Sequence, residues 1–210
     1  MVKDFNEVWH DFCQKNCQVF IKVSKRKVFG LNSKLTTRDL AYMAMAVALI
    51  AICSWISIPT TVPFTMQTFA VCLVSALLGT RRGFLAVACY LLLGAVGAPV
   101  FAGFKGGLGA LLGVTGGYLV GYLPCAFLSG VGGEQREKTG WWFHALMMAA
   151  GTFILYAVGT VVFMLHTGNA LGAALSLCVI PFLPGDAVKI AAAVMLTVPV
   201  RKAVYSIHNS

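Results

Sequence analysis

Asp186 and Lys189 stand three residues apart in "PFLPGDAVKIAAAV", residues 181 to 194, within a chain that otherwise keeps charge out of its apolar runs. On a helix, positions i and i+3 share one face. Aspartate accepts hydrogen bonds from N–H donors and lysine donates to a carbonyl oxygen or an anion, so together they can read a ligand that presents both kinds of group. A pair that only neutralises itself is the competing reading. It explains less, because desolvation cancels much of the attraction between two buried charges.

Other residues could complete such a site. Lys105 is flanked by Gly103, Gly106 and Gly107, which let the backbone fold over a pocket, and its ammonium suits capture of a carboxylate; a snorkelling loop lysine is the alternative. The stretch "SIPTTVPFTMQTF" adds Phe64 and Gln67, and Tyr90 and Tyr118 offer rings and hydroxyls from later apolar runs. Each of these taken singly fits packing as well as ligand contact. Together they describe a small pocket for a partly apolar molecule with a carboxylate at one end and an amide-like group at the other.

Catalysis is not expected. Six of the seven acidic residues lie in the N-terminal extension, at the start of the first apolar run or at 134–137, which leaves Asp186 without a second carboxylate for acid–base work. His10, His144, His166 and His208 are scattered, no HExxH occurs, and no metal or cofactor is implied.

The elements that must position these residues follow from composition. The 210 residues are 59% hydrophobic and 11% charged, too apolar for a soluble domain of this size. Apolar runs at about 40–58, 66–80, 83–102, 107–131, 141–165 and 170–199 approach the roughly 20 residues that a spanning helix needs. Open sheet cannot satisfy its backbone in hydrocarbon and barrel alternation is absent, so an all-α integral membrane protein with six transmembrane helices is expected. In the last run Pro181, Pro184 and Gly185 predict a short or re-entrant lead-in, then a helix from about Pro184.

Lysine and arginine alternate by loop: eight precede Asp39, Arg81 and Arg82 follow the second run, Arg136 and Lys138 the fourth, and Arg201 and Lys202 the sixth. Positive charge marks the cytoplasmic side, which puts both termini inside and the loops near 60, 105 and 167 outside. A location in the cell membrane, multi-pass in the lipid bilayer, is therefore expected. Topology accounts for most of the net charge of +9, and no soluble basic face points to nucleic acid. The cysteines lie in spans or on the cytoplasmic side and are read as small apolar packers.

Three boundaries are expected: an extension at 1–35, a membrane domain at 36–202 and a short cytoplasmic tail at 203–210. In the extension Phe5, Val8, Trp9, Phe12, Cys13, Cys17 and Phe20 have helical spacing before "KVSKRK", as in an interfacial amphipathic helix; a plain cytoplasmic extension remains open. Ala44 and Ala48 give the first span a small-residue face, for internal packing or for another membrane helix. In the fourth run Gly107, Gly109, Gly113, Gly117 and Gly121 predict a smooth stripe along one helix. That segment lacks the Gly-Lys-Ser/Thr ending of a phosphate-binding loop, so the chain is not expected to hydrolyse ATP.

The T-V-P-F-T-x-Q-T stretch, the L-G-x-R-R-G turn, the G-G-L-G…T-G-G-Y segment and P-G-D-x-x-K, in that order over about residues 36–200, closely resemble BioY, the biotin-specific substrate-binding (S) component of energy-coupling factor (ECF) transporters. The resemblance implies a six-helix membrane protein that captures biotin at the extracytoplasmic face. It would deliver the vitamin with an ECF transmembrane coupling protein and two ABC-type ATPases. It assigns ureido recognition to Asp186 and Lys189, and docking on the coupling protein to Ala44 and Ala48. Lys105 stands where some members carry an arginine facing the biotin carboxylate, so a bidentate clamp becomes a point charge. The loops near 59–65 and 103–107 would close the pocket. Open alternatives are the same fold carrying lipoate or a biotin precursor, a membrane enzyme acting on lipid, and a purely structural subunit.

Overall fold

A computed structural model of the chain describes residues 36–58 and 62–208. The expected amphipathic helix at 1–35, Pro59 to Thr61 of the first outer loop, and the last two residues lie outside the described residues. The described part is mostly helical: α1 (Thr37–Trp55), α2 (Gln67–Leu78), α3 (Thr80–Val96), α4 (Leu108–Leu112), α5 (Gly116–Thr139), α6 (Trp141–Thr167), α7 (Leu171–Cys178) and α8 (Leu183–His208). Between α1 and α2 a two-stranded antiparallel hairpin pairs β1 (Ser57–Ile58) with β2 (Phe64–Thr65), Ser57 opposite Thr65.

Helices α1 and α6 are long and apolar enough to cross a bilayer, and α7 with Leu183–Thr197 of α8, bent by 49°, forms a third such unit. Pro181 and Pro184 explain the bend, because each removes a backbone donor near the junction. The break expected next to Asp186 is found there. α8 continues through His208, so the segment expected as the tail begins within this helix.

The fourth apolar run differs from expectation. It is not one helix over 107–131 but the five-residue α4 and, after a break at 113–115, the longer α5. Gly113 is extended, Gly113, Val114, Thr115 and Gly116 are poor helix formers, and at Gly116 a Cβ would run into the Leu111 backbone, so the chain breaks here although Val114 packs on the core. The glycine stripe therefore divides. Only Gly117 and Gly121 lie in α5, where they allow close approach to α6: a Cβ at Gly117 would fall 2.4 Å from Val162 Cβ, and one at Gly121 would fall 3.1 Å from Leu155 Cα.

The core lies among α2, α3, α5 and α6, filled by residues such as Val71, Val87, Tyr90, Cys125 and Met148. Cys72 and Cys125 meet there, sulfur to sulfur at 3.9 Å, as small packing groups. At one end of α1, Asp39 pairs with Arg82 of α3 at 3.1 Å. At the other end Trp55 stacks on Phe104 and donates from Nε1 to Pro99 O at 2.9 Å, which pins the 97–107 loop beside the hairpin.

Candidate functional site

Asp186 sits in the first turn of α8, where its N–H donates to Phe182 O at 2.9 Å. Its negative charge suits a helix N-terminus. Lys189, one turn on, donates from Nζ to Asp186 Oδ1 at 2.8 Å. The two are only 4% and 6% exposed, a burial that such charges tolerate only when paired and hydrogen-bonded.

The surroundings supply the other partners. Lys189 Nζ also donates to Thr65 O of β2 at 2.7 Å and lies 3.6 Å from the centroid of the Phe64 ring. Phe64 stacks on Phe182 with centroids 5.3 Å apart. On the far side of the carboxylate, the Tyr156 hydroxyl from α6 donates to Asp186 Oδ2. Each carboxylate oxygen thus holds one donor.

These groups enclose a cavity of about 40 Å³. Its floor and walls include Thr68 of α2 and Tyr118 and Tyr122 of α5. Tyr118 contributes to this wall, and its buried hydroxyl interacts with Thr160 and Cys178.

Of the residues singled out from the sequence, the fold brings Phe64, Tyr118, Asp186 and Lys189 to one cavity. Gln67 and Tyr90 do not line it. They bond each other, Gln67 Nε2 donating to Tyr90 Oη at 3.0 Å, and the Tyr90 hydroxyl donates to Val100 O at 2.8 Å, which ties the 97–107 loop to α2 and α3. Lys105 is exposed and outside the cavity. Its loop is turned back onto the helices, because Phe101 N–H bonds Lys105 O at 3.0 Å while the Phe101 ring fills the space over Gly94. Ala44 and Ala48 are exposed on α1, whereas Met43, Ala46 and Ile50 face the core.

Tyr156, Tyr122, Thr65 and Thr68 were not legible as site residues. They stand in ordinary apolar or loop surroundings, and only the folded chain sets Tyr156 against a carboxylate 30 residues away.

The BioY family profile matches residues 25–206, nearly the whole described chain. The chain belongs to the BioY family. Among BioY relatives, the biotin transporter BioY of Thermotoga maritima is 41% identical over 79% of this chain and 96% of its own length. The probable biotin transporter BioY of Pyrococcus horikoshii is 37% identical over 77% and 95%. Among solved structures, the S-component for biotin from an ECF-type ABC transporter superposes with a TM-score of 0.74 at 27% identity, covering 80% of this chain and 95% of that one. A BioY fold therefore carries the cavity described above.

Proposed function

We propose that the chain is the biotin-capturing S component of an ECF transporter, working in the cell membrane. The observation that carries this reading is the buried Asp186–Lys189 pair in the wall of a cavity, on a chain whose relatives are named biotin transporters. A cyclic urea presents an N–H and a C=O side by side, and adjacent carboxylate and ammonium groups on one helical face complement them. Tyr118 adds an aromatic wall to the cavity.

The cavity is smaller than the roughly 300–1,000 Å³ of ordinary small-molecule sites, so ligand entry requires β2 to draw away from Lys189. The ligand carbonyl then replaces Thr65 O on the ammonium. Phe64 and Phe182 provide apolar cover for the bicyclic ring. Gln67 and Tyr90 act indirectly, by holding the neighbouring loop.

Six membrane crossings with both termini cytoplasmic fit the alternation of charge. Two landmarks support this orientation: Arg82 and Asp39 at one end of α1, and the hairpin with Phe64 and Thr65 following its other end. The cavity then opens to the extracytoplasmic side. Binding energy alone cannot drive accumulation, so delivery falls to a transmembrane coupling protein and two ABC-type ATPases. The exposed Ala44 and Ala48 of α1 form the small-residue surface that docks on the coupling protein.

The test is equilibrium binding of radiolabelled biotin to the purified chain, with lipoate as competitor. Saturable binding that lipoate does not displace, and that Asp186→Asn markedly weakens, is expected. Undiminished binding by both Asp186→Asn and Lys189→Ala would sink the site assignment.

A further inference from the structure

We propose that Tyr156 is a positioning residue for ligand recognition, acting through Asp186; this rests on the biotin-binding reading above. The Tyr156 hydroxyl holds Asp186 Oδ2 while Lys189 holds Oδ1, so the carboxylate plane is fixed from both sides. A carboxylate has about four lone-pair sites, and with one donor on each oxygen the remaining sites face a ligand N–H in a set direction.

The tyrosine is itself firmly placed. It is 7% exposed and follows Leu155, whose backbone packs on Gly121 of α5, and the next turn of α6 is held by the Tyr118 ring against Gly159. The close approach of α5 and α6 that Gly117 and Gly121 allow thus fixes the backbone on which Tyr156 stands.

The consequence concerns Lys189. Without the tyrosine hydroxyl, Asp186 loses its anchor on the side away from Lys189 and turns both oxygens toward the ammonium that already holds Oδ1. The carboxylate lone pairs then point at the ammonium rather than at a ligand N–H, and two of the three Lys189 donors are taken up by Asp186. Tyr156 thus keeps Oδ2 aimed away from the amine, so that the acid stays open to a ligand N–H and the amine to a ligand carbonyl.

The experiment is biotin titration of the full-length chain in detergent as wild type, Tyr156→Phe, Asp186→Asn and the double variant, with melting temperature and infrared spectra of the unliganded proteins. Tyr156→Phe is expected to bind about tenfold more weakly or worse, the size of a hydrogen bond to a charged group. Because the hydroxyl acts through the carboxylate, adding Tyr156→Phe to Asp186→Asn costs at most about twofold more. The carboxylate band that Asp186→Asn removes is shifted in Tyr156→Phe, a signature that loss of packing alone would not give.

Wild-type affinity in Tyr156→Phe, losses that multiply in the double variant, or a melting temperature lowered by more than about 10 °C, which would signal a structural role, each overturn the proposal. If Asp186→Asn weakens binding and Tyr156→Phe does not, only the positioning role fails. If wild type itself binds no biotin, the functional reading fails with it.

Discussion

Gly185 lies directly under the Phe64 ring: a Cβ at position 185 would come within 2.5 Å of Phe64 Cζ. The same ring covers the Lys189 ammonium at 3.6 Å and stacks on Phe182. One missing methyl group on α8 thus sets where the hairpin rests over the charged pair.

Gly185→Ala is accordingly expected to push Phe64 off Lys189 and to weaken biotin binding by about tenfold or more, through overpacking of roughly 1–3 kcal/mol. Phe64→Leu in the same chain frees the space and should recover part of the loss. Isothermal titration of the two single variants and the double variant checks this; a double variant weaker than both singles would contradict it.

Removing one partner of the ion pair leaves the other charge buried and alone. Lys189→Met is expected to lower stability by about 3–5 kcal/mol, whereas Asp186→Asn combined with Lys189→Met regains most of it. Neither variant should bind biotin. Thermal unfolding with and without the vitamin separates the two effects, since stability returns in the double variant but the ligand-induced shift does not.

Lys105 is exposed and makes no contact with the cavity, which leaves it a long-range role toward a carboxylate. Lys105→Gln should slow association of biotin by a few-fold at low salt and leave dissociation unchanged, with the difference disappearing near 1 M salt, where the screening length is about 3 Å. Stopped-flow kinetics reads this directly. A faster dissociation would instead mean a direct contact in the bound state.

Ala44 and Ala48 are exposed on α1 and Cβ-sized, so a neighbouring helix can approach closely there. Ala48→Trp should leave biotin affinity of the isolated chain unchanged and reduce ATP-dependent uptake by the assembled transporter about tenfold or more. Loss of binding in the isolated chain would show that the face serves internal packing.

Much of the fold was legible because its signals are local. Apolar runs bounded by charged loops located the helices, and the prolines and glycine at 181–185 marked the bend before α8. The fourth run misled because each glycine of its stripe is compatible with a helix taken alone. What broke it was the accumulated cost of Gly113, Val114, Thr115 and Gly116 in succession.

Within the site, Asp186 and Lys189 could be paired from sequence because helical periodicity fixes the distance between i and i+3. Lys105, Gln67 and Tyr90 could not be placed, since loop position and rotamer decide whether a polar group meets a cavity or a neighbour. Gln67 and Tyr90 met each other.

By itself the sequence determined membrane character, the approximate helices and the acid–amine pair, all properties of residues close together along the chain. The tertiary structure alone decided what faces that pair. Thr65 O lies 124 residues from Lys189 and Tyr156 lies 30 from Asp186. Contacts across such separations depend on how closely helices approach, and here Gly117 and Gly121 against α6 and Gly185 beneath Phe64 set that approach.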